Sequence, residues 1–540
     1  MIALLLPAAL AAAPPPGGLL YFILVDRFAD AQPDLPGTTD RADLQAWHGG
    51  DLPGVEAHLD HLSAMGVSTL WLSPVFRSRQ EKFHGHGAFH GYWVEDMDGI
   101  EPRLGDKDAL SSLAAAAASQ DISLVLDMVY NHVSFDSPLL ASHPDWFHPP
   151  ETIEDWDDPH QLVKRQVHGL PDLAQEKEAV YHYLLGRSLY WAGQANAAGF
   201  RIDAVRHIPP DFLHTLSTDV KRARGEDFWL LGEDFQGDAV ALSESFRSGG
   251  FDAMFDFPLR YAMIDVFCRD QHPGRLGAVL SLDRLYDNPS GLVTFLDNHD
   301  LPRIASECGG ERARVEAALL FMFAVRGTPS ITYGTEWLLE GPAEPENRAD
   351  APWSEPPVLA STIGQLQALR AAHPALSRAS ERRIEAIDDS VLRFVRTTAE
   401  ESATVIVNRG AAPLPAPADA TGWAIAGPGG LSTGAAQAPS VPAGGVGVFF
   451  GPGQLPGVAE QVTVPIVGGG SGWLVGSGPE VGNWSPEAGV VLGSGASVVL
   501  PAGTVLEWKR VSVDEEGGII WPEGSNRYDL ISAGAMVTVR

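Results

Sequence analysis

Cysteine is almost absent from this 540-residue chain: Cys268 and Cys308 are the only two. One disulfide or two buried thiols are open to them, and a single bridge cannot staple a chain of this length, so the fold must rest on its core. Neither lies near the N-terminus, which leaves no thiol there for a lipid anchor. Basic residues are also scarce, 37 Lys and Arg against 69 Asp and Glu, for a net charge of −32. Such a surface repels phosphate backbones and anionic lipid, so neither nucleic acid nor a membrane is expected as a partner. Long apolar runs are missing, which excludes a transmembrane helix of about 20 residues. The one apolar run of note opens the chain, in "MIALLLPAALAAAPPPGG", and gives way to small residues before a Pro/Gly stretch. It has no Lys or Arg ahead of it, but otherwise takes the form of a signal peptide, and residues 1–18 are read as signal peptide and spacer of a secreted protein, extracellular or periplasmic. Internal repeats are absent.

What is present is a loop-rich globular composition, 45% apolar with 57 Gly and 41 Pro, in a chain long enough for several domains. From residue 20 to about 335, short β-branched or aromatic runs alternate with helical patterns such as "DALSSLAAAAASQ" and "ERARVEAALLFMFAV". Eight strands are predicted, at 20–25, 67–75, 122–129, 199–204, 228–234, 251–259, 291–299 and 329–335. The alternation implies a parallel sheet. Eight units suggest a closed (β/α)8 barrel over 19–376, although the count alone leaves an open doubly wound sheet possible. About 70 residues separate the third and fourth strands, far more than an ordinary connection, and 130–172 is read as an inserted subdomain. The helix "TIGQLQALRAAHPAL" closes the barrel. A β-rich C-domain, a sandwich over 377–451, and a final β-sandwich over 459–540 follow, separated by Pro/Ala/Gly-rich stretches.

In such a barrel the chemistry sits at the C-terminal ends of the strands. Four predicted strands end in charge: "LDMVYNH" with Asp127, Asn131 and His132, "GFRIDAVRH" with Arg201 and Asp203, "FWLLGED" with Glu233 and Asp234, and "FLDNHD" with Asp297, Asn298, His299 and Asp300. Arg201 and Asp203 are two apart on a strand and so share a face. An arginine beside a carboxylate keeps it ionised, as a nucleophile requires, whereas a carboxyl emerging from "FWLLGE" should be raised by desolvation, as a proton donor requires. Two carboxyls with opposed environments are the signature of retaining glycoside cleavage. A buried ion pair that only fixes register would account for Arg201 and Asp203 alone, but not for carboxylates ending several strands of one barrel.

"DMVYNH" (127–132), "GFRIDAVRH" (199–207), "LGED" (231–234) and "FLDNHD" (295–300), with "GVSTLWLSP" (66–74), "HGYW" (90–93) and "GLPDL" (169–173), resemble in order and spacing the motifs of the α-amylase family, glycoside hydrolase family 13. The resemblance implies Asp203 as nucleophile, Glu233 as general acid/base and Asp300 as the carboxylate that stabilises the transition state. It also implies Arg201 orienting Asp203, His132 and His299 on sugar hydroxyls, Tyr92 stacking on the sugar, Asp127 supporting the barrel mouth, and Arg206, where many members carry lysine, with His207 toward the next sugar. A calcium ion is implied at Asn131, Asp172 and the His207 carbonyl, with a fourth side chain open among Asp145, Glu154, Asp155, Asp157 and Asp158. "DRFADAQPDLPG" with "GGD" (49–51) is loosely similar to a second calcium loop but lacks its asparagines. His84, His86 and His90 lie close together and are read as hydrogen bonders rather than zinc ligands.

Toward the C-terminus, "VGNWSPEAGVVL", "LPAGTVLEWKRV" and "IIWPEGSNRYDL" resemble a starch-binding domain of carbohydrate-binding family 20. Trp484 and Trp521 would be its aromatic platforms, and Lys509 and Asn526 its hydrogen bonders. Together the resemblances imply a monomeric α-amylase acting on starch, glycogen or maltooligosaccharides. A cyclodextrin glucanotransferase or maltooligosaccharide-forming transglycosylase is the alternative. A non-catalytic starch-binding protein would be expected to lack one of Asp203, Glu233 and Asp300, and all three are present.

Overall fold

The computed structural model describes residues 17–378, 381–435, 437–453, 459–468, 470–514 and 516–539. The expected signal peptide lies almost wholly outside these residues. Eight parallel strands, β1 (Leu19–Ile23), β2 (Val67–Leu72), β3 (Ser123–Met128), β4 (Gly199–Ile202), β5 (Trp229–Gly232), β6 (Ala253–Phe255), β7 (Leu292–Phe295) and β8 (Thr328–Thr332), close into a barrel. Closure is made by β1 pairing with β8, Leu20 with Ser330 through Phe22 with Thr332. The strands are short and apolar on both faces because one face fills the barrel and the other receives the helices. The helix Arg312–Ala324 shows the effect: ten of its 13 residues are buried, since it lies between the barrel and the sheet that follows.

Residues between β3 and β4 form the inserted subdomain, tied back to the barrel by a bridge between His132 and Asp172 and another between Phe147 and Leu173. Its long excursion is stitched by side chains more than by regular structure. Residues 381–452 form one six-stranded antiparallel sheet, where two stacked sheets were expected. The second layer is not a sheet: one face rests on the barrel, and Leu414, Ala416, Ala420 and Val441 from the connecting segments cover the other with Ile406, Ile425 and Phe449. The strands from Gln461 to Val539 build the last domain in two sheets, around Val464, Leu474, Trp508, Ile531 and Val537. Cys268 and Cys308 form a disulfide, joining the ends of the helices Phe257–Phe267 and Ile304–Glu307.

Candidate active site

The ends of β3, β4 and β5 are adjacent in the barrel, and their charged residues meet on one guanidinium. Arg201 is completely buried. Its Nη1 donates to Asp127 Oδ1 (2.9 Å) and to Asp203 Oδ1 (2.6 Å), and its Nη2 lies 2.8 Å from Glu233 Oε1. The rings of Trp71 and Tyr92 face the same cation, 5.0 and 5.6 Å from its central carbon. Asp127 sits beneath this group. Trp71 Nε1 and the Tyr92 hydroxyl both donate to its Oδ2 at 2.9 Å, and burial pushes its carboxyl up to about 6 despite Arg201. With 2% exposure it is a positioning residue that holds Arg201 and Tyr92.

Asp203 lies just past the end of β4, 9% exposed. The next residue, Ala204, has φ of 51°, a left-handed conformation uncommon outside glycine. That turn brings its N–H to Glu233 Oε2 at 3.2 Å. Burial pushes the Glu233 carboxyl up to about 8, with Arg201 pulling the other way. This carboxyl is therefore equipped to carry a proton at neutral pH.

The opposite wall comes from the loops after β7 and β8. His299 Nε2 is 3.1 Å from Asp300 Oδ2, and Arg348 donates to Asp300 Oδ1 at 3.0 Å and to the His299 carbonyl at 2.8 Å. Burial acts to raise the Asp300 carboxyl, but His299, Arg348 and Arg201 outweigh it and hold it below the usual range. Burial lowers His299 to about 3, leaving a neutral ring able to donate to or accept from a hydroxyl. Tyr92 stacks on that ring, 5.0 Å between centroids and 6° between planes. Its approach depends on Gly91, where φ is +85° and a Cβ would lie 2.1 Å from the Pro74 carbonyl. His132 Nε2 meets the Tyr92 carbonyl at 3.1 Å, and burial lowers its pKa too. Arg206 reaches the carbonyl of the exposed Trp156 at 3.0 Å. Arg348, Trp71 and the exposed Phe235 and Trp156 were not singled out from the sequence; Trp71 alone lay in a quoted motif.

The residues expected to hold calcium also converge. The side-chain amide of Asn131 lies 3.3 Å from Asp172 Oδ1 and 2.8 Å from the His207 carbonyl oxygen. With its nitrogen turned to them, the amide donates to both. With its oxygen turned to them, three oxygens face one point, the all-oxygen set that suits a hard cation. Burial pushes Asp172 up to about 6, with His148 and Lys164 pulling the other way. Its other oxygen is taken by His148 Nδ1 at 2.6 Å. Of the candidates for a fourth side chain, Asp158 caps a helix and binds Gln161, Asp155 accepts from Asp157 N and Glu154 pairs with Arg165.

In the loop loosely matched to a second calcium site, the carboxylates have protein partners. Asp51 accepts from the backbone N–H groups of Ala31, Gln32 and Gly54, and Asp30 accepts from Arg41. The three histidines do not gather: His86 bonds Gln45, His90 accepts from Tyr92 N, and His84 packs on Phe83. Among the described residues no cluster of three or more His, Cys, Asp or Glu is placed to hold a metal.

In the C-terminal domain Trp508 is the core tryptophan. Trp484 is half-buried, Trp521 is 44% exposed, and neither belongs to that core. Lys509 Nζ reaches the Pro522 carbonyl at 3.4 Å, beside Trp521. Asn526 donates to Glu507 at 2.6 Å, so its amide is engaged within the domain.

Residues 22–382 match the alpha amylase catalytic domain, and residues 466–539 the starch binding domain. The chain is 29% identical over 433 residues to a cyclomaltodextrinase of Geobacillus thermopakistaniensis (strain MAS1), spanning 75% of this chain and 71% of that one. It is 30% identical over 410 residues to a beta/alpha-amylase of Paenibacillus polymyxa, 72% of this chain but 33% of that larger relative. Among solved structures, an Anoxybacillus alpha-amylase is similar with a TM-score of 0.73 at 29% identity, over 82% of this chain and 99% of that one. A cyclomaltodextrin glucanotransferase with a three-domain ABC distribution has a TM-score of 0.72 at 25% identity, over 81% and 100%. The chain belongs to the alpha-amylase family of glycoside hydrolases and carries a starch-binding domain at its C-terminal end.

Proposed function

We propose that this α-glucan hydrolase is an endo-acting α-amylase that cleaves α-1,4-glucosidic bonds of starch and related glucans with retention. The observation that carries the reading is the shared guanidinium: Arg201 touches Asp203 with one terminal nitrogen and Glu233 with the other. That span brings both carboxyls to the same point of the cleft, one to attack and one to donate a proton, the pair of roles that retaining cleavage requires. Glu233 gives its proton to the glycosidic oxygen as Asp203 Oδ attacks the anomeric carbon, and the bond to the leaving sugar breaks. The Glu233 carboxylate then takes a proton from water as that water displaces Asp203 and restores it. Asp300, held by Arg348 and His299, faces the positive charge that develops on the sugar, and Tyr92 supplies an apolar surface for the ring.

A second reading is favoured by Phe235. It is 44% exposed and two residues beyond Glu233, on the side of the leaving group, where an incoming sugar could stack and replace water as acceptor. That would make the enzyme a transglycosylase, forming cyclodextrins or maltooligosaccharides from the same intermediate. Chromatography of products from starch and from β-cyclodextrin separates the two: linear oligosaccharides of mixed length support the hydrolase, and cyclic products from starch overturn it.

The raised Glu233 carboxyl sets the alkaline limit. The acid must be protonated, so kcat/KM on soluble starch holds through neutral pH and falls as pH rises through about 8. A pH–rate profile checks this, and an alkaline limb centred below about 6 would place the proton donor elsewhere.

The reading includes a calcium ion held by Asn131, Asp172 and the His207 carbonyl. Its contribution is cross-linking of the inserted subdomain to the ends of β3 and β4, and no chemical step passes through it. Chelation is expected to lower Tm and calcium to restore it, since the bound ion stabilises the fold by about 2.7 kcal/mol at a hundredfold excess over Kd. Asp172→Asn should remove that response, and a Tm indifferent to calcium in the parent protein would exclude the ion. Export by residues 1–18 belongs to the same reading, supported by the Cys268–Cys308 disulfide, a bond that persists in oxidising compartments.

A further inference from the structure

The starch-binding domain is seated on the barrel. Along the helix Gly274–Ser281, Gly274 faces Tyr528 and Gly277 faces Val505, so closely that added Cβ atoms would lie 2.6 and 3.0 Å away. Val505 N donates to Ser281 Oγ at 2.8 Å, and Tyr528 stacks on His272 with 4.6 Å between centroids. Val505, Tyr528 and Leu530 pack with the barrel's core, apart from the domain's own cluster.

Val505 opens the strand Val505–Val513, and alternation puts Val505, Glu507 and Lys509 on one face of it. That face leads from the barrel to the expected glucan contacts within about 13 Å, the length of four residues of strand. At its far end Lys509 reaches the Pro522 carbonyl, next to Trp521. The antiparallel register pairs Glu507 with Tyr528 and Trp508 with Arg527, which brings Asn526 alongside Lys509. Glu507 stands between the two ends, 4% exposed. Its Oε1 accepts from Asn526 Nδ2 at 2.6 Å and from the Tyr528 hydroxyl at 2.9 Å, and Arg275 Nη1 lies 3.9 Å from it. Arg275 belongs to the barrel, as the second residue of the helix Gly274–Ser281, and its Nε is 2.7 Å from Asp265 Oδ2.

Of the three partners of Glu507 only Arg275 carries a charge. An ionised carboxyl only accepts, so Asn526 must turn its amide nitrogen toward Glu507, and the amide oxygen is the atom left to meet a sugar hydroxyl. Without the cation, the buried carboxylate is costly in its charged form. Once protonated it donates as well as accepts, and no longer dictates which end of the amide faces it.

From this chain of contacts we infer that Arg275 is a positioning residue for the starch-binding site. Through Glu507 this barrel side chain orients the Asn526 amide toward the glucan, so that the domain binds starch at full strength only in its seat. The inference rests on the reading of Asn526 as a hydrogen bonder of the glucan.

The test is the adsorption isotherm on raw starch granules, taken in the cold, for the parent, Arg275→Met, Arg275→Lys, Asn526→Ala and the Arg275→Met/Asn526→Ala double variant. Arg275→Met is expected to raise Kd about tenfold, the weight of one hydrogen bond to a charged group. Saturation capacity and kcat/KM on maltotetraose should stay at the parent's values, and Arg275→Lys should restore most of the affinity. The double variant should bind no more weakly than the weaker single variant, because both substitutions act through one amide. A parental Kd in Arg275→Met overturns the inference, and so does a double variant in which the two losses add. If Arg275→Met unseats the domain, seen as a larger radius of gyration in solution scattering, Glu507→Gln replaces it in the series with the same expectations. Asn526→Ala with the parent's affinity would remove the reading of Asn526 and the inference with it. A tenfold loss there beside a parental Arg275→Met would leave that reading standing and sink the inference alone.

Discussion

Asp203→Asn is expected to lower kcat/KM on soluble starch by about 10⁴-fold or more while leaving adsorption to starch granules intact. The size follows from losing the nucleophile of a cluster whose members act together, where removing one costs nearly as much as removing all. The substitution is nearly isosteric, and the amide can still accept the hydrogen bond that Arg201 donates to Asp203 at 2.6 Å, so the pocket keeps its shape. Adsorption reads a separate domain with its own core and so should survive the substitution, while thermal unfolding at the parent's Tm is the folding control for the barrel. Reducing-end release within tenfold of the parent would mean that the anomeric carbon is attacked by something other than Asp203.

Arg201→Met is expected to destabilise the folded protein by about 3–5 kcal/mol, the range for removing one partner of a buried ionic group. The arginine is wholly buried, and so is Asp127, while Asp203 and Glu233 are nearly so. Methionine fills the volume and leaves the three carboxyls without their cation. Desolvation then works on Asp127, already up at about 6, without the arginine to oppose it, so the loss should deepen as pH rises and the carboxyls are forced to ionise. Folded pKa values raised above the unfolded ones give stability that is present at low pH and lost on going through the folded values. Denaturant unfolding at pH 5 and pH 8 measures both the loss and its direction, and a variant as stable as the parent at pH 8 would contradict the picture of Arg201 as the neutralising centre.

The barrel was legible because each strand is a short run buried on both faces, which leaves an apolar, β-branched trace in the sequence. The ends were less so. The run at 251–259 reads as one strand, yet β6 stops at Phe255 and a helix begins at Phe257, capped by Asp256 accepting from Leu259 N. An apolar strand flowing into the first buried turn of a helix gives no change of period to mark the break. The strand-end carboxylates were readable for the same reason the strands were: charge at the end of an apolar run is conspicuous. Arg348 was not, because it lies 48 residues from Asp300 in a segment without periodicity, and only closure of the barrel brings the loops after β7 and β8 together. The pairing of Cys268 with Cys308 needed the helix ends placed in space. The seat of the starch-binding domain was equally hidden, since Gly274 and Gly277 signal close approach only once Tyr528 and Val505 stand opposite them.

The geometry around Arg201 also carries an inventory of protons. Three carboxyls, Asp127, Asp203 and Glu233, surround a single positive charge. With all three ionised, the group would hold two excess negative charges away from water; one proton among them halves that excess. The proton that Glu233 donates is thus not its private possession but the one that the charge count obliges the whole group to keep, and it resides where burial is least opposed. Titration then belongs to the ensemble. Substituting any one member moves the apparent pKa of the others, and effects measured singly at these positions will not sum when the substitutions are combined.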